Sequence, residues 1–590
     1  QSFTLSDNTK MISFISSKIE RRSVSTDNIK YFRKLQLFKR VFQPMIYLLD
    51  NTRVLPFMVP FVNWTMRKFK IKRQLQRDLN YRLIAKALKG RLNRAPKDGE
   101  KKILFPFFTS GDNIFLLINM LITFRLQNKG YRGVFVICDE NLPICTNERI
   151  NKTRKEDKFL CKNCYRPYHL YAKVIGAEFL KLSDFIEPNF IEEAKLKIEK
   201  CRTLEDCKNF SLQGVEVGHF AEKSVMRFFL TGKLVECEEH IRVYKKFLNS
   251  LAHISSGWSA IMEDINTNPE LVILYNGTLS FESYIRAYCK QKEIDYITHE
   301  TYVGQNSWIY KKNDEVMKLT WNEQWKEFNK KKLSEEQSIK AQDFIEGLRH
   351  GKQMYAKLNE PTPLDTIIKK DGEFAVLFTN LNFDTAVLGR NPHFNSMEDW
   401  IIQVIDYWIK EQIALNLIIR IHPGEVKLIT PSADFIGPKI RDRIKGVSNI
   451  ILFDAMDKVD SYTLIENMKF GLIYSSTIGL EISYLNKLCL IAGDAFYKNE
   501  DFVSFPKDRT DYFAILKEMT SGTYPEKNEE TKKNLLKFIY FIYFHRVKRL
   551  KGINMDHANH VNLFSFETIE ELNTMNNEVF EEFEAEVLNK

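Results

Sequence analysis

Two short runs in this chain combine residue types suited to holding a phosphate. The first is His422-Pro423-Gly424-Glu425, which follows the apolar run LNLIIRI. The second is Ser475-Ser476-Thr477-Ile478-Gly479-Leu480-Glu481, about fifty residues later, after KFGLIY. Both apolar runs read as strands, so both motifs stand where a strand ends. Hydroxyls and unpaired backbone N–H groups at a helix start suit a phosphate oxygen, and the helix dipole adds attraction. The His422 imidazole donates a hydrogen bond to that phosphate, or supplies positive charge when protonated. Glu481, on the first turn of the following helix, is placed to accept from ribose hydroxyls. Each motif alone has a plainer role, since Ser and Thr cap helices and His-Pro ends strands. Two such strand ends in one block point to a nucleotide diphosphate or monophosphate site.

The elements that would position these residues follow a strand–turn–helix alternation. KILFPFF (Lys102–Phe108), RGVFVIC (Arg132–Cys138), LVILYNG (Leu271–Gly277) and IDYITHE (Ile294–Glu300) are the strands of a first block. EFAVLFTN, LNLIIRIHPGE, SNIILFD, KFGLIYSST and KLCLIAGD are those of a second, which starts at Glu373. Such alternation predicts parallel strands with helical crossovers. The fold class is therefore α/β, with two Rossmann-like domains facing across a cleft. The division reads as a basic arm over 1–100, a first Rossmann-like domain over 101–330 and a charged helical linker over 331–370. A second Rossmann-like domain over 371–520 and helices over 521–590 complete it. In open parallel sheets ligands bind beyond the carboxyl ends of the strands, so functional residues are sought there.

A chain of 590 residues is too long for one core. Its 44% hydrophobic and 28% charged content excludes wholesale disorder, and nine Cys do not make a disulfide scaffold. The charge is uneven. Residues 1–100 hold 22 Lys/Arg against 7 Asp/Glu, a net +15, within a whole-chain net of +11. The body is therefore close to neutral. Inside the arm, Val41–Trp64 is apolar, aromatic and broken by prolines, with basic flanks from Arg33 to Arg40 and from Arg67 to Arg73. That pattern fits a segment lying in an anionic membrane interface, or a helical arm packed on the body. No apolar run reaches the roughly 18 residues of a spanning helix. The opening residues lack the arrangement of a signal peptide. The expected location is cytoplasmic, peripheral on the inner face of the cytoplasmic membrane, with reduced thiols. The charge is confined to the arm and no nucleic-acid motif appears, so nucleic acid is not an expected partner.

Cys138, Cys145, Cys161 and Cys164 lie within 27 residues, and the last two form a CxxC. Four thiolates with one close pair can close a tetrahedral structural zinc site. Cys138 also ends a strand, which a buried core thiol would explain equally. The charged run between the pairs would gain order from a metal clip.

RIHPGE, SYTLIE (Ser461–Glu466), Tyr474–Tyr497 and Leu377–Trp400 resemble the capsule polysaccharide biosynthesis family of GT-B glycosyltransferases. The paired His-Pro and Ser-Ser-Thr motifs are also similar to those of bacterial sialyltransferases and Kdo transferases that use CMP-sugars. The resemblance is dense over Glu373–Phe505 and fainter over Leu271–Asn313. It implies inverting transfer from a nucleotide-sugar, with a CMP-sugar favoured and no catalytic metal. The acceptor would be a cell-surface polysaccharide or a lipid-linked glycan. By the same resemblance, His422, Ser475, Ser476 and Thr477 would hold the donor phosphate, Glu425 and Glu481 would orient the nucleotide, and the loop with Asn380, Asn382 and Asp384 would line the cleft. Arg420, which opens RIHPGE, is counted with the donor contacts. Phe383 stands where the family pattern has Trp. An inverting transfer needs a general base, for which Asp112 and Glu300 are the candidates in the first domain. Other readings keep the nucleotide site or discard it: a CDP-polyol phosphotransferase of the teichoic-acid type, a non-hydrolysing nucleotide-sugar epimerase, or a non-catalytic scaffold of a glycan-assembly complex.

Overall fold

The computed structural model describes residues 101–108, 113–150, 160–264, 269–304, 306–349, 372–385, 387–427, 432, 434–555, 561–564 and 569–588. The basic arm and Asp112 lie outside these described residues.

The first block comprises β1 (Lys101–Phe107), α1 (Asn113–Gln127), β2 (Tyr131–Ile137), α2 (Leu160–Ile175), β3 (Glu178–Lys181), α3 (Val217–Phe229), α4 (Glu238–Glu263), β4 (Pro269–Tyr275), α5 (Ser280–Gln291), β5 (Asp295–Glu300) and β6 (Ser307–Lys312). The central strands are buried along most of their length. Near-continuous apolar runs are what a parallel sheet needs when helices cover both faces. Helix α4 supplies one cover: Val243, Phe247, Leu251, Ile254, Trp258 and Ile261 recur at helical spacing and are all buried. Each fully buried aliphatic or Phe side chain contributes roughly 1.5–3 kcal/mol.

The second block holds α6 (Glu335–Arg349), β7 (Phe374–Phe378), α7 (Met397–Lys410), β8 (Asn416–Arg420), β9 (Ile450–Phe453), β10 (Phe470–Ile473), α8 (Ile478–Tyr484) and β11 (Leu488–Ile491). The tail adds α9 (Glu529–Tyr540), β12 (Lys548–Arg549), β13 (Ile553–Met555), β14 (Val561–Phe564) and α10 (Asn577–Leu588). Helix α7 starts at Ser396, whose side chain accepts the Asp399 N–H. Its Trp400 indole donates to the Tyr512 hydroxyl at 2.8 Å, and Trp408 donates to the Leu415 carbonyl at 2.8 Å. Both rings are therefore buried with their polar handles satisfied.

The first sheet has the order β12-β6-β5-β4-β1-β2-β3 and the second β11-β10-β7-β8-β9. Strands β1 to β5 are mutually parallel, as is the whole second sheet. The strand order reverses between β1 and β4 in one sheet and between β7 and β10 in the other. The crevices at these reversals are where open α/β sheets bind ligands.

Two strands did not stand out in the sequence, and the expected helical tail needs correction. Strand β6 runs antiparallel to β5, because the connection over 301–306 is too short for a helical crossover. The segment EFLK, too short and mixed to stand out in sequence, is strand β3. The tail is not purely helical. After α9 it passes through a π-turn at Phe541–Arg546, and β12 then pairs antiparallel with β6 of the first sheet. Helix α10 follows onto the same edge: Phe580 and Phe583 pack on Trp308, and Glu584 pairs with Arg125 and Lys129. The tail therefore covers an edge strand that would otherwise expose unpaired backbone groups. No helix among the described residues is long and apolar enough to cross a membrane.

Candidate functional site

The reversal in the second sheet gathers three of the sequence motifs. Asn380 follows β7 and Ser475 follows β10, and both are buried. The Ser475 N–H approaches Asn380 Oδ1 at 3.5 Å, joining the two strand ends across the crevice. On the other side of β7, the His422 backbone N–H donates to Thr379 Oγ1 at 2.9 Å. Neighbouring strands thus present Ser475–Thr477, Asn380 and His422 along one edge.

The His422 ring is fixed by its own turn. Its Nδ1 accepts the Gly424 N–H at 3.0 Å, which assigns the remaining proton to Nε2. Burial pushes the pKa down to about 4; Asp384 opposes this and Arg420 adds to it. At neutral pH His422 is consequently a neutral donor through Nε2–H rather than a cation. Ser476 Oγ accepts the Ile478 N–H at 3.4 Å, and its carbonyl takes the Tyr497 hydroxyl and the Gly479 N–H. Thr477 precedes α8 with its side chain capping no backbone N–H, and it is exposed. Asp384 is exposed in a turn whose carbonyl accepts from Val387 and Leu388 at 2.8 and 2.9 Å.

Three other residues assigned to the donor lie deeper. Arg420 is buried, with its guanidinium directed to the carbonyls of Asp454 at 2.6 Å, Asp457 at 3.4 Å and Val459 at 3.1 Å. It pins the segment after β9. Glu425 is buried with neither carboxyl oxygen in a well-formed hydrogen bond. Burial pushes its pKa up to about 7, against weak help from the Ile436 N–H. Glu481 is buried on the first turn of α8, near the buried hydroxyls of Tyr497 and Tyr543.

In the first block, Glu300 ends β5 and is buried. Its Oε2 accepts the Asn276 side-chain N–H at 2.8 Å and its Oε1 the Thr301 N–H at 2.9 Å. The carboxylate is therefore fixed in orientation at a strand end. Asn276 adopts a left-handed conformation, φ 56°, at the turn after β4. Sequence reasoning passed over it, although the Asn-Gly pair following a strand was its signal. Neighbouring His299 is fully buried, with its pKa pushed down to about 3 by burial, and Trp308 donates to its Nδ1 at 3.3 Å. It is a core residue.

The two blocks touch through contacts that sequence reasoning also missed. Thr231 Oγ1 donates to Asp434 at 2.7 Å, and Arg390 donates to the Met317 carbonyl at 2.7 Å. A cavity of ≈40 Å³ lies between them, with Met226 and Lys233 on one wall and, on the other, Asn391, Glu398 and Asn382, which the sequence had already assigned to the cleft. Lys223 approaches Gly389 across the same junction. Its pKa is lowered by burial, with Glu315 opposing and Arg286, Arg390 and Lys318 adding repulsion. The junction is thus rich in positive charge.

No protein-family model matches the chain, and no curated protein sequence matches it. Among solved structures, a KpsC beta Kdo 2,4 transferase from Thermosulfurimonas dismutans is 12% identical, covering 52% of this chain and 87% of its own, with TM-score 0.32. A glycosyltransferase from Rickettsia africae is 11% identical over 83% of this chain and 100% of its own, with TM-score 0.27. A UDP-GlcNAc 2-epimerase from Neisseria meningitidis, bound to UDP-GlcNAc, is 12% identical over 82% and 100%, with TM-score 0.20.

Proposed function

We propose that the protein is a glycosyltransferase of GT-B type that moves a sugar from a nucleotide-sugar, a CMP-sugar being favoured, to a polysaccharide or lipid-linked glycan acceptor. The observation that carries this reading is the meeting of Asn380, Ser475–Thr477 and His422 at adjacent strand ends beside the reversal of the second sheet. Donors at such a crevice suit a phosphate. His422 Nε2–H and the Ser476 and Thr477 hydroxyls would bind the donor phosphate, and Asp384 would hold the His422 side of the cleft.

In the transfer, the bond between the anomeric carbon and the phosphate oxygen breaks while the acceptor oxygen bonds the same carbon. The acceptor's proton passes to a carboxylate, and Glu300 is the candidate base among the described residues; Asp112 remains the other candidate. Inverting chemistry without a catalytic metal follows the family resemblance. The basic arm would hold the enzyme at the anionic cytoplasmic face of the membrane, near a lipid-linked acceptor, with no nucleic acid as partner.

The test is a thermal-shift and calorimetric screen against CMP, CDP, UDP, GDP and their common sugars. Ligand binding to the folded state raises apparent stability by mass action. A CMP-selective shift, lost in His422→Ala and Ser476→Ala, is the expected result. A UDP or GDP shift would replace the donor. Binding of CDP-polyols would favour the phosphotransferase, and no shift with any nucleotide or acceptor would favour a scaffold.

A further inference from the structure

Two cavities at the carboxyl edges of the sheets differ in charge. Cys138, Cys145, Cys161 and Cys164 line the one beyond β1 and β2, together with Asp139 and Glu140. Among the described residues no three His, Cys, Asp or Glu side chains gather closely enough to hold a metal ion. The other cavity lies between the two blocks, and cations gather at it. Its charged lining is Lys233 and Glu398, and Glu398 is committed to Lys439 at 2.5 Å. Gly389 also lines it, in a left-handed conformation at φ 74°. A side chain there would meet Lys223 of α3, with Cε at 3.3 Å and Nζ at 3.8 Å. The bare glycine thus lets the Lys223 ammonium reach the junction.

Around Lys223 the charges do not balance. Glu315 attracts it, while Arg286, Arg390 and Lys318 repel it. The one carboxylate is already engaged: Glu315 Oε1 accepts the Thr278 hydroxyl at 2.8 Å and Oε2 accepts from Arg286 Nη1 at 3.2 Å. Lys318 pairs with Asp314 at 2.9 Å. Arg390 donates to three carbonyls, those of Thr385 at 3.3 Å, Asp494 at 3.3 Å and Met317 at 2.7 Å, and among the described residues it pairs with no carboxylate. Arg286 Nε is buried without a hydrogen-bond acceptor. Half-buried Lys223 makes neither a hydrogen bond nor an ion pair among the described residues. A partly desolvated ammonium among like charges is costly to hold without a counter-charge. An oxyanion beside it would supply that charge and accept charge-assisted hydrogen bonds.

The same group of residues leads to Glu300. The Thr278 N–H donates to Asn276 Oδ1 at 3.1 Å, and Asn276 Nδ2 donates to Glu300 Oε2 at 2.8 Å. With Glu315 these contacts form a continuous chain from Arg286 to the candidate base, running through the turn after β4. The donor phosphate contacts belong to the other sheet, so a ligand held at Lys223 lies on the side of the base. We propose that Lys223 anchors a carboxylate or phosphate of the acceptor in the cleft between the two blocks, so that the protein takes an acidic glycan as its acceptor. Arg286 and Arg390 add the field that favours the charged ligand over a neutral one. That the ligand is the acceptor rests on the transferase reading; the preference for an oxyanion rests on the charges at the junction.

The experiment titrates the full chain at low ionic strength with glucose, glucuronate and glucose 6-phosphate, which share a ring and differ in charge, read by calorimetry and ligand-observed NMR. One or both charged sugars should bind roughly tenfold tighter than glucose, and Lys223→Gln should abolish that preference without weakening glucose. Tighter binding of glucuronate assigns a carboxylate, and tighter binding of glucose 6-phosphate a phosphate. The thermal midpoint of Lys223→Gln should not fall, since the substitution relieves repulsion. Equal binding of the three sugars by the wild-type chain, or binding of none, would overturn the proposal, and neither depends on a variant folding. So would a preference for charge that survives Lys223→Gln. A nucleotide titration run alongside separates the two readings. Nucleotide binding with no preference among the sugars removes this proposal alone. A charge preference dependent on Lys223, with no nucleotide bound, keeps the oxyanion site and removes the transferase.

Discussion

Glu425 offers a measurement in which a structural role and a donor-binding role give different results. Its side chain is buried, its carboxyl oxygens lack well-formed hydrogen bonds, and Asp434 and Asp454 add repulsion to the burial penalty. These raise its pKa from an ordinary 4.5 to about 7. The folded state therefore holds a proton that the unfolded chain has released. The stability this proton confers is complete below pH 4.5 and is lost as pH rises through about 7. At 1.36 kcal/mol per pH unit, the whole effect is about 3 kcal/mol, of which about 2 kcal/mol is lost between pH 5.5 and pH 8. Glu425→Gln cannot ionise and keeps the shape. Its midpoint relative to wild type should rise by roughly 2 °C more at pH 8 than at pH 5.5, at about 1 °C per kcal/mol for a compact unit of this size. The assay is thermal unfolding of both proteins at the two pH values, with calorimetric titration of the nucleotide that stabilises wild type. Nucleotide affinity should stay unchanged. A pH-independent difference, or one of opposite sign, would refute the burial argument. A tenfold loss of affinity without the pH-dependent difference would return Glu425 to the donor.

Glu300→Gln keeps the hydrogen-bonding shape and removes the base, so turnover should fall roughly 10²–10⁴-fold with donor affinity retained. Asn276→Ala loosens the same carboxylate and should cost less, roughly tenfold, in the same transfer assay. His422→Ala should weaken nucleotide binding roughly tenfold. Because the His422 pKa lies at about 4, its contribution should be constant from pH 8 to pH 6. A rise in affinity on acidification to pH 6 that the variant abolishes would show a cationic role. Gly479→Ala places a methyl group against the Tyr497 hydroxyl and Ile473 inside a buried turn. It should destabilise the protein by roughly 1–3 kcal/mol, read as a lower midpoint that Tyr497→Phe partly restores.

The sheet strands were legible where apolar runs were long and ended in turn residues. KILFPF, RGVFVI and the five strands of the second block all signal themselves by composition. Their parallel pairing follows from the helices between them. β6 and β12 were not legible as sheet partners, because antiparallel pairing depends on a short loop and on a distant strand edge. Motif spacing brought out His422 and Ser475 because adjacent strand ends are where a parallel sheet exposes backbone and side chains together. It did not foretell that Arg420, in the same motif, turns its guanidinium to the carbonyls after β9. A side chain's direction at a strand end depends on packing that the sequence pattern does not encode. Thr231 and Lys223 stand far from any motif, Arg390 lies within Leu377–Trp400 without a chemical signal of its own, and only the approach of the two blocks gives them a role.

That approach also links the two candidate sites mechanically. Tyr302 lies two residues after Glu300 and stacks on Tyr543 of the tail, with ring centroids 5.7 Å apart and planes at 13°. Tyr302, Tyr543, Tyr497 and Ile482 belong to one hydrophobic core, which also takes in β7, α6 and α9. Tyr497 in turn holds the Ser476 carbonyl, and Glu481 lies beside both buried tyrosines. The loop carrying the candidate base and the loop carrying the candidate phosphate contacts are therefore packed against the same side chains. Interiors packed to crystal-like density transmit displacement rather than absorb it. Because the tail supplies Tyr543 to this core and β12 to the first sheet, it ties the two strand edges together from behind. A tail substitution such as Tyr543→Ala should therefore disturb both sites while touching neither, lowering turnover and nucleotide affinity together. If nucleotide affinity survived and only turnover fell, the tail would be positioning the first block alone.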